Sequence, residues 1–313
     1  MTKDNLVVVL GPTASGKTSI AIEIAKKYNG EVISCDSMQI YKGLPISTAQ
    51  PTEDEKEGIP HHLIAFLDVK ENFSVGEYQT LARAKIADIQ SRGKLPILCG
   101  GTGLYVDSII YNMDFAKASG DEKIRQKYTQ YYNQHGAQAL HDLLGERAGD
   151  IANRIHPNNI NRVIRALEVL ELTGEEKKEY YNKEMKQHYY KNLLVIGAIW
   201  DREELYDRIN RRVDLMFKAG LVDEIKAIMN YGLSPANTAF KAIGCKELYQ
   251  YFDGEIDLTT AIEKIKQYSR NYAKRQITWF KRLNEVNWLN FSVKTDLDQE
   301  KTKIFTKIEN IYF

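Results

Sequence analysis

The feature that most constrains this chain is the segment GPTASGKT at residues 11–18. It follows an apolar run at residues 6–10 and precedes a stretch, 18–28, in which apolar residues recur with helical spacing. A Gly-x-x-x-x-Gly-Lys-Thr loop between a strand and a helix wraps its backbone N–H groups around a phosphate, and the helix N-terminus adds partial positive charge. The alternative is a chance match in a turn, which the flanking strand and helix disfavour.

We call residues 11–18 the phosphate cradle. In this interpretation the Lys17 ammonium neutralises phosphate oxygens and the Thr18 hydroxyl binds Mg²⁺. The residues predicted to bind a diphosphate or a nucleotide such as ATP are Gly11, Pro12, Thr13, Ala14, Ser15, Gly16, Lys17 and Thr18.

Short apolar runs predict the strands of a parallel sheet. Four such runs, each bounded by polar or turn residues, lie at 6–10, 31–35, 96–99 and 193–199. Helical patterns at 18–28 and 75–92 separate the first three runs. This alternation predicts an α/β fold with a P-loop NTPase-like parallel sheet flanked by helices.

Residues 114–191 interrupt the alternation. They are charged and rich in tyrosine, and the predicted elements are helices at 121–133, 137–144, 161–172 and 175–185. Because the strand at 193–199 resumes the sheet, we expect an all-helical insertion domain, 114–191, between two parts of the core, 1–113 and 192–313. Further helices are predicted at 202–219, 222–231, 245–252 and 258–282.

The composition excludes several classes of protein. With 43 Lys+Arg against 42 Asp+Glu the net charge is +1, so a nucleic-acid partner would have to meet a local basic surface. Cys35, Cys99 and Cys245 lie far apart, which argues against a disulfide framework or a zinc site. Without a signal-peptide pattern or an apolar run of membrane-spanning length, we expect a cytoplasmic monomer with no membrane partner.

Asp36 is the carboxylate that follows a predicted strand and lies beside the phosphate cradle. Open α/β sheets bind ligands at this carboxyl edge. An ATP-driven motor would place an Asp at the end of a second strand, but the run at 95–99 is followed by two glycines and Thr102. Asp36 could alternatively only cap its turn. The pattern favours a small transferase or kinase core.

A basic and aromatic stretch lies between Glu263 and Glu285. It contains no acidic residue, and its cations and rings suit phosphate contacts and base stacking. The alternative to nucleic-acid binding is an amphipathic helix whose basic side faces solvent and whose aromatic side packs in the core. A smaller basic cluster lies at 161–165. The basic residues of the stretch are Lys264, Lys266, Arg270, Lys274, Arg275, Lys281 and Arg282, and the interleaved aromatics are Tyr268, Tyr272, Trp279 and Phe280.

Further motifs follow in a fixed order: DSMQIYKG at 36–43, STA at 47–49, PHHL at 60–63, GGTGLY at 100–105, RIHPN at 154–158, RVIRALE at 162–168 and AKRQITWF at 273–280. With them the chain resembles the bacterial tRNA dimethylallyltransferases (tRNA isopentenyltransferases) over nearly its whole length. Two positions depart from the family pattern: Cys35 replaces an aliphatic residue, and Cys245-Lys246 stands where Gly-Tyr-Arg is usual. The C-terminal zinc finger of eukaryotic relatives has no counterpart.

The resemblance implies a reaction. Dimethylallyl diphosphate would donate its prenyl group to the N6 amine of the adenosine at position 37, next to the anticodon, of tRNAs that read codons beginning with U. Asp36 would act as general base, and Thr102 would hydrogen-bond near the reacting amine or a donor oxygen. Lys17 and Arg212, with Mg²⁺ as cofactor, would stabilise the leaving diphosphate.

The resemblance also implies the tRNA-binding residues. The inserted helices would clasp the anticodon stem-loop, and the acceptor base would flip out of its stack. We expect His61 and His62 to be structural, since no third metal ligand accompanies them. The positions that match the family's tRNA-contacting blocks are Asp36, Ser37, Met38, Gln39, Thr102, Arg125, Asn161, Arg162, Val163, Ile164, Arg165, Lys241, Lys246, Lys274, Arg275, Gln276, Ile277, Thr278, Trp279, Phe280 and Lys281.

Two other functions share the phosphate cradle. A P-loop kinase of small molecules or nucleosides would use ATP as donor, but it would not need the basic–aromatic stretch or the helical insertion. A non-catalytic, nucleotide-switched RNA-binding module would not need a carboxylate at Asp36 beside Lys17 and Thr18.

Overall fold

A parallel six-stranded sheet is the frame on which the site is built. The computed structural model describes residues 5–113, 120–174, 187–292 and 296–312. The strand order is β3-β2-β4-β1-β5-β6, with every neighbouring pair parallel. β1 therefore lies inside the sheet, and all 6 of its residues are buried. The strands are β1 (Asn5–Leu10), β2 (Gly30–Ser34), β3 (His61–His62), β4 (Leu95–Gly100), β5 (Asn192–Ile199) and β6 (Val286–Asn290).

Helices make up most of the remaining described structure. None of the helices in the described ranges is long and apolar enough to cross a membrane. The helices are α1 (Lys17–Tyr28), α2 (Glu53–Lys56), α3 (Val75–Ser91), α4 (Gly103–Ile110), α5 (Glu122–Arg147), α6 (Gly149–Ala152), α7 (Ile160–Thr173), α8 (Arg202–Lys218), α9 (Leu221–Tyr231), α10 (Cys245–Phe252), α11 (Leu258–Phe280) and α12 (Leu297–Tyr312), with a 3₁₀ turn at Thr238–Lys241.

The predicted α/β fold with a parallel sheet is confirmed. The four apolar runs correspond to β1, β2, β4 and β5. Sequence patterns did not predict β3, which is only 2 residues long, or β6, whose sequence VNWLN alternates weakly and has a partly buried pattern. The last helix, α12, was also not predicted.

The chain divides into two compact units, Met1–Ile110 with Tyr190–Phe313, and Tyr111–Tyr189. Residue 114, where the insertion domain was predicted to begin, and the helix predicted over 175–185 lie outside the described residues. The two helices predicted at 121–133 and 137–144 are joined in α5, which kinks at Gly136 with φ 84° and ψ 177°. The helix predicted at 161–172 is α7.

Two apolar clusters hold the first unit together. In one, Val7 and Val9 of β1 pack with Ile24 of α1 and Ile308 of α12. In the second cluster, residues of α8 to α11 pack against the segment that follows β2. This cluster includes Ile225 of α9 and Ile265 of α11, which are both fully buried. Each such side chain contributes about 1.5–3 kcal/mol through burial. The clusters fix the sheet, α1 and the α8–α11 helices around the site.

The second unit has its own core. Tyr128, Leu140 and Leu144 of α5 pack with Val163 and Leu167 of α7, and all five side chains are buried. Since positions three and four apart lie on one side of a helix, Val163, Ala166 and Leu167 of α7 face this core together.

A buried ion cluster lies at the amino end of β2, away from the cradle at the carboxyl ends of the strands. The Glu31 carboxylate, 2% exposed, accepts from Arg92 at 2.5 and 2.8 Å, Lys94 at 2.7 Å and His62 at 2.8 Å. The hydrogen bonds from Arg92 hold the pKa of Glu31 far below its usual value. His61 Nδ1 lies 2.8 Å from the Ile59 carbonyl.

Candidate active site

The phosphate cradle joins β1 to α1, as the sequence predicts. Gly16 has φ 84°, in the left-handed region that glycine tolerates, and Ala14 shares that region with φ 63°. α1 begins at Lys17, so its first N–H groups lack intrahelical partners and remain available to an anion. The local geometry is that of an anion-binding loop.

Side chains from outside the loop hold its carbonyl oxygens. Arg208 Nε donates to the Ala14 carbonyl at 2.9 Å, and Trp200 Nε1 donates to the Ser15 carbonyl at 2.9 Å. The Arg208 guanidinium lies 4.2 Å from the Trp200 ring centroid, a cation–π arrangement. Lys17 Nζ donates to the Pro12 carbonyl at 3.3 Å. The shape of the cradle is therefore set by protein contacts.

The cradle contains a polar atom that suits a phosphate. The Ser15 side chain is 0% exposed, and its hydroxyl oxygen has no hydrogen-bond partner within the described residues. An unpaired buried hydroxyl costs about 1–3 kcal/mol, which a bound phosphate oxygen would recover. The cradle fits a phosphorylated ligand.

Two half-buried cations lie beside the cradle. Arg212 Nη1 is 3.4 Å from Thr13 Oγ1, and Arg212 lines one cavity together with Lys17 and Asp36. Burial lowers the pKa of Lys17 and the pKa of Arg212, while the charge of Asp36 opposes both shifts. Lys17 and Arg212 lie beside the cradle with the Asp36 carboxylate, so positive charge is available to an anion bound there; a second carboxylate, Glu247, also lines the cavity.

Asp36 follows β2 at the carboxyl edge of the sheet. Its Oδ1 atom accepts from Met38 N at 2.9 Å and from Gln39 N at 3.4 Å, so the carboxylate caps its turn. Its Oδ2 atom accepts no hydrogen bond from the described part of the protein. One oxygen of Asp36 therefore holds the turn, and the side chain also lines the cavity, where its functional role stays a prediction.

Thr102 lies next to this turn. Its hydroxyl oxygen accepts from Ser37 N at 2.9 Å and donates to Ser37 Oγ at 3.3 Å. Ser37 lines the cavity, and Thr102 does not appear among the cavity-lining residues. In this structure Thr102 thus supports the segment that carries Asp36.

The cavity has a volume of about 540 Å³ and is lined entirely by the first unit. Thr13, Lys17, Asp36 and Arg212 are the polar lining residues at or next to the cradle. α8, α11, the segment after β2 and the segment before α10 form the walls. The apolar lining residues are Met38, Ala49, Ile209, Val213, Met216, Phe240, Ala242 and Ile243.

Exposed cations and an exposed ring also line this cavity. Lys241, Lys246 and Arg275 are exposed, and none of the three forms an ion pair within the described ranges. Tyr268 is 46% exposed. The more buried Tyr272 lies 5.6 Å below the Arg275 guanidinium, and burial, assisted by the charge of Asp36, raises the pKa of Tyr272.

The stretch 274–281 does not present all its side chains to solvent. Gln276, 5% exposed, accepts from Thr13 N at 2.9 Å and donates from Nε2 to the Gly101 carbonyl at 2.8 Å. A Cβ on residue 101 would collide with Gln276 Nε2, so this contact requires glycine. Phe280 is fully buried, and Trp279 Nε1 donates to Asp107 Oδ1 at 3.4 Å.

This arrangement shows which of the predicted tRNA contacts have exposed side chains; the contacts themselves stay predictions. The Gln276 and Phe280 side chains are held inside the protein: Gln276 bonds to Thr13 N and to the Gly101 carbonyl, and Phe280 is fully buried. Ile277 is half-buried and packs against Ala14 and Trp200. The exposed side chains, available to a nucleic acid, are those of Lys274, Arg275, Thr278 and Lys281.

The second unit holds the other predicted tRNA contacts. Arg125 Nε lies 2.9 Å and Arg165 Nη1 lies 2.5 Å from the carboxylate of Glu168, which is 0% exposed. Asn161 and Arg162 are exposed. The remaining two predicted contacts, Val163 and Ile164, are buried in the core of this unit and cannot offer their side chains to RNA.

Within the described residues, no group of three or more His, Cys, Asp or Glu side chains could hold a metal ion. Mg²⁺ commonly binds through one or two protein oxygens, several waters and substrate phosphates. Thr18, half-buried on the first turn of α1, fits that donor set if a diphosphate is bound.

Fold and site together define a class: a P-loop α/β protein in which a phosphate-binding loop, two cations and a carboxylate share one cavity. The chain belongs to the IPP transferase family, whose model matches residues 39–283. The family prediction made from the motifs is confirmed.

Relatives match nearly the full chain. A tRNA dimethylallyltransferase of Bacillus subtilis (strain 168) is 46% identical over 98% of this chain and 97% of its own length. One from Geobacillus thermodenitrificans is 48% identical over 99% and 95%. Among solved structures, the full-length tRNA isopentenylpyrophosphate transferase from Bacillus halodurans matches with a TM-score of 0.74 and 44% identity, covering 98% of this chain and 96% of that one. A eukaryotic dimethylallyltransferase acting on tRNA matches with a TM-score of 0.85 and 31% identity, covering 99% and 79%.

Proposed function

We propose that this chain transfers the dimethylallyl group of dimethylallyl diphosphate to tRNA. The acceptor is the N6 amine of the adenosine at position 37, on the 3′ side of the anticodon, in tRNAs that read codons beginning with U. The products are N6-dimethylallyladenosine and diphosphate. One observation carries the proposal: Asp36 lines a single cavity with Lys17, Thr13 and Arg212, beside the phosphate cradle.

The cradle binds the diphosphate of the donor. Negative charge accumulates on this group as its bond to the prenyl carbon breaks, so the loop N–H groups, Lys17 and Arg212 stabilise the transition state more than the ground state. Mg²⁺, held by Thr18 and the diphosphate oxygens, would supply further positive charge to the leaving group.

Asp36 acts on the acceptor. The N6 amine is a weak nucleophile, because its lone pair is delocalised into the adenine ring. As the new C–N bond forms and the C–O bond to diphosphate breaks, the Oδ2 atom of Asp36 takes the amine proton. The bonds from Met38 N and Gln39 N to Oδ1 keep the carboxylate oriented for this step.

The apolar side of the cavity suits the hydrocarbon part of the donor. Val213, Met216 and Phe240 line it, and a pocket with apolar walls and few polar groups typically binds a small organic ligand. These walls also keep water from the activated prenyl carbon.

The exposed cations around the cavity suit the tRNA anticodon stem-loop. Lys241, Lys246 and Arg275 can contact phosphates, while the acceptor base leaves its stack to reach Asp36. Exposed residues of the helical unit, including Arg125 and Arg162, would contribute further phosphate contacts. The protein would act as a monomer.

The test is a transfer assay. Purified protein, Mg²⁺, dimethylallyl diphosphate and unmodified tRNA with adenosine 37 should give a prenylated nucleoside, detected by mass spectrometry. A parallel reaction with ATP tests the kinase alternative, which the names of the relatives do not favour. Phosphate transfer from ATP without prenyl transfer would overturn the proposal.

The base is tested with Asp36→Asn. Asparagine keeps an oxygen for the turn bonds of Met38 N and Gln39 N but cannot accept the amine proton. We expect kcat to fall by about 10²-fold or more, with the tRNA dissociation constant changed less than about twofold. Lost tRNA binding with an unchanged chemical step would contradict the assignment of Asp36 as base.

A further inference from the structure

A loop that is not part of the phosphate cradle forms another wall of the cavity. We call residues 44–50 the wall loop; its Ser47, Thr48 and Ala49 line the cavity. Local turns shape it, with Thr48 N donating to the Leu44 carbonyl at 3.2 Å and Ala49 N donating to the Ile46 carbonyl at 3.0 Å. These short contacts alone do not fix the loop relative to the rest of the site.

On one side, Gln39 ties the wall loop to the Asp36 turn. Gln39 Nε2 donates to the Ala49 carbonyl at 3.0 Å and to the Thr48 carbonyl at 3.4 Å. Ser34 Oγ donates to Gln39 Oε1 at 2.8 Å, which fixes the amide orientation. Since Gln39 N also donates to Asp36 Oδ1, one residue connects the loop to the carboxylate.

On the other side, Glu224 of α9 holds the wall loop. Its Oε2 atom accepts from Ile46 N at 2.7 Å, and its Oε1 atom accepts from Ser47 N at 2.8 Å. Hydrogen bonds to an ionised carboxylate are about twice as strong as neutral ones. The two oxygens of Glu224 accept hydrogen bonds from two consecutive backbone N–H groups. This pair of hydrogen bonds fixes the orientation of the wall loop as well as its position.

We propose that Glu224 is a positioning residue for the reaction: it anchors the wall loop, and through Gln39 it holds the Asp36 turn in its working geometry. The inference rests on the function proposed above. Glu224 does not line the cavity and acts through the loop. The competing explanation is that Glu224 only stabilises the fold, in which case its loss would lower stability without a specific effect on turnover.

The variant Glu224→Gln separates these explanations. Glutamine has nearly the same shape, but it turns an NH₂ group toward one of the two N–H donors and so keeps only one of the two bonds. Asp223→Asn is the matched control, because it removes an exposed carboxylate from the same turn of α9. The measurements are kcat, the KM values for dimethylallyl diphosphate and tRNA, the melting temperature, and amide hydrogen exchange of residues 44–50.

For Glu224→Gln we expect kcat to fall about tenfold and exchange of the wall loop to accelerate about tenfold, the equivalent of one lost charge-assisted hydrogen bond. The KM for dimethylallyl diphosphate should stay within about twofold, because the cradle is untouched. The control should match wild type in every measurement. If Glu224→Gln does not fold, Glu224→Asp, which keeps the charge but withdraws it from the loop, should show the same pattern.

Two results would overturn the inference: faster exchange of the wall loop with unchanged kcat, or a loss of activity that only follows the unfolded fraction. A wild-type protein that transfers no prenyl group would instead refute the proposed function. In that case, comparing hydrogen exchange of residues 44–50 between wild type and Glu224→Gln would still show whether Glu224 anchors the wall loop.

Discussion

Gln276→Ala distinguishes a role in the phosphate cradle from a role in RNA contact. The family motif places Gln276 in a tRNA-binding stretch, whereas the structure shows its amide bridging Thr13 N and the Gly101 carbonyl at 2.9 and 2.8 Å. Alanine removes both hydrogen bonds, each worth about 0.5–1.5 kcal/mol, so the loss is about 1–3 kcal/mol. For a domain of this size that lowers the melting temperature by roughly 2–12 °C.

Among the kinetic constants of Gln276→Ala, the KM for the donor should change most. Because Thr13 N belongs to the cradle, releasing it should raise the KM for dimethylallyl diphosphate about tenfold, while the tRNA dissociation constant stays within about twofold. Lys274→Ala is the control: this exposed neighbour should weaken tRNA binding and its salt dependence, with no effect on the melting temperature. Steady-state kinetics, tRNA binding by filter retention and calorimetry give the three quantities. A tRNA affinity lowered tenfold in Gln276→Ala, with donor KM and melting temperature unchanged, would refute the reasoning.

Two further predictions concern stability and RNA contact. Glu31→Gln should cost about 1–3 kcal/mol of unfolding free energy at pH 7. The folded-state pKa of Glu31 lies below its unfolded value of about 4.5. The stabilisation by the Glu31 carboxylate is therefore present above pH 4.5 and is lost as the pH falls below that value. Urea unfolding of both proteins between pH 7 and 3 checks this, and a difference in unfolding free energy that stays constant with pH would contradict it. Tyr268→Ala should weaken tRNA binding by about 5- to 100-fold if the exposed ring stacks on a base, while Tyr268→Phe should bind like wild type. The exposed Tyr231, which does not line the cavity, provides a control substitution, and equal effects of Ala and Phe at 268 would rule out stacking.

Features that depend on neighbouring residues could be predicted from the sequence. The cradle was predictable because an apolar strand, two glycines, Lys17 and a helix are contiguous. Asp36 was predictable as a site residue because the carboxyl ends of parallel strands meet at one edge of a sheet. Burial of β1, β2, β4 and β5 on both faces gives the continuous apolar runs that identify them.

Contacts between distant segments could not be predicted in this way. Arg208 and Trp200 hold cradle carbonyls 194 and 185 positions away, and Glu224 holds a loop 178 positions away. Nothing adjacent to these residues indicates such partners. For the motif at 273–280, the burial of single side chains was not predicted for a different reason. The contiguous residues belong to a helix, and Gln276 and Phe280, four residues apart, lie together on its buried side.

Helix α11 carries Gln276, which holds a cradle amide, and also Arg275 and Lys274, which face solvent. In the proposed function, one helix thus contacts the donor site and carries cations that would meet the tRNA. If bound tRNA shifted this helix, the hydrogen bond from Thr13 N to Gln276 would transmit the shift to the cradle. Reciprocity of binding energies then requires that a seated donor alter RNA affinity by the same factor. Helix α11 would then be the physical link through which donor and tRNA change each other's affinity.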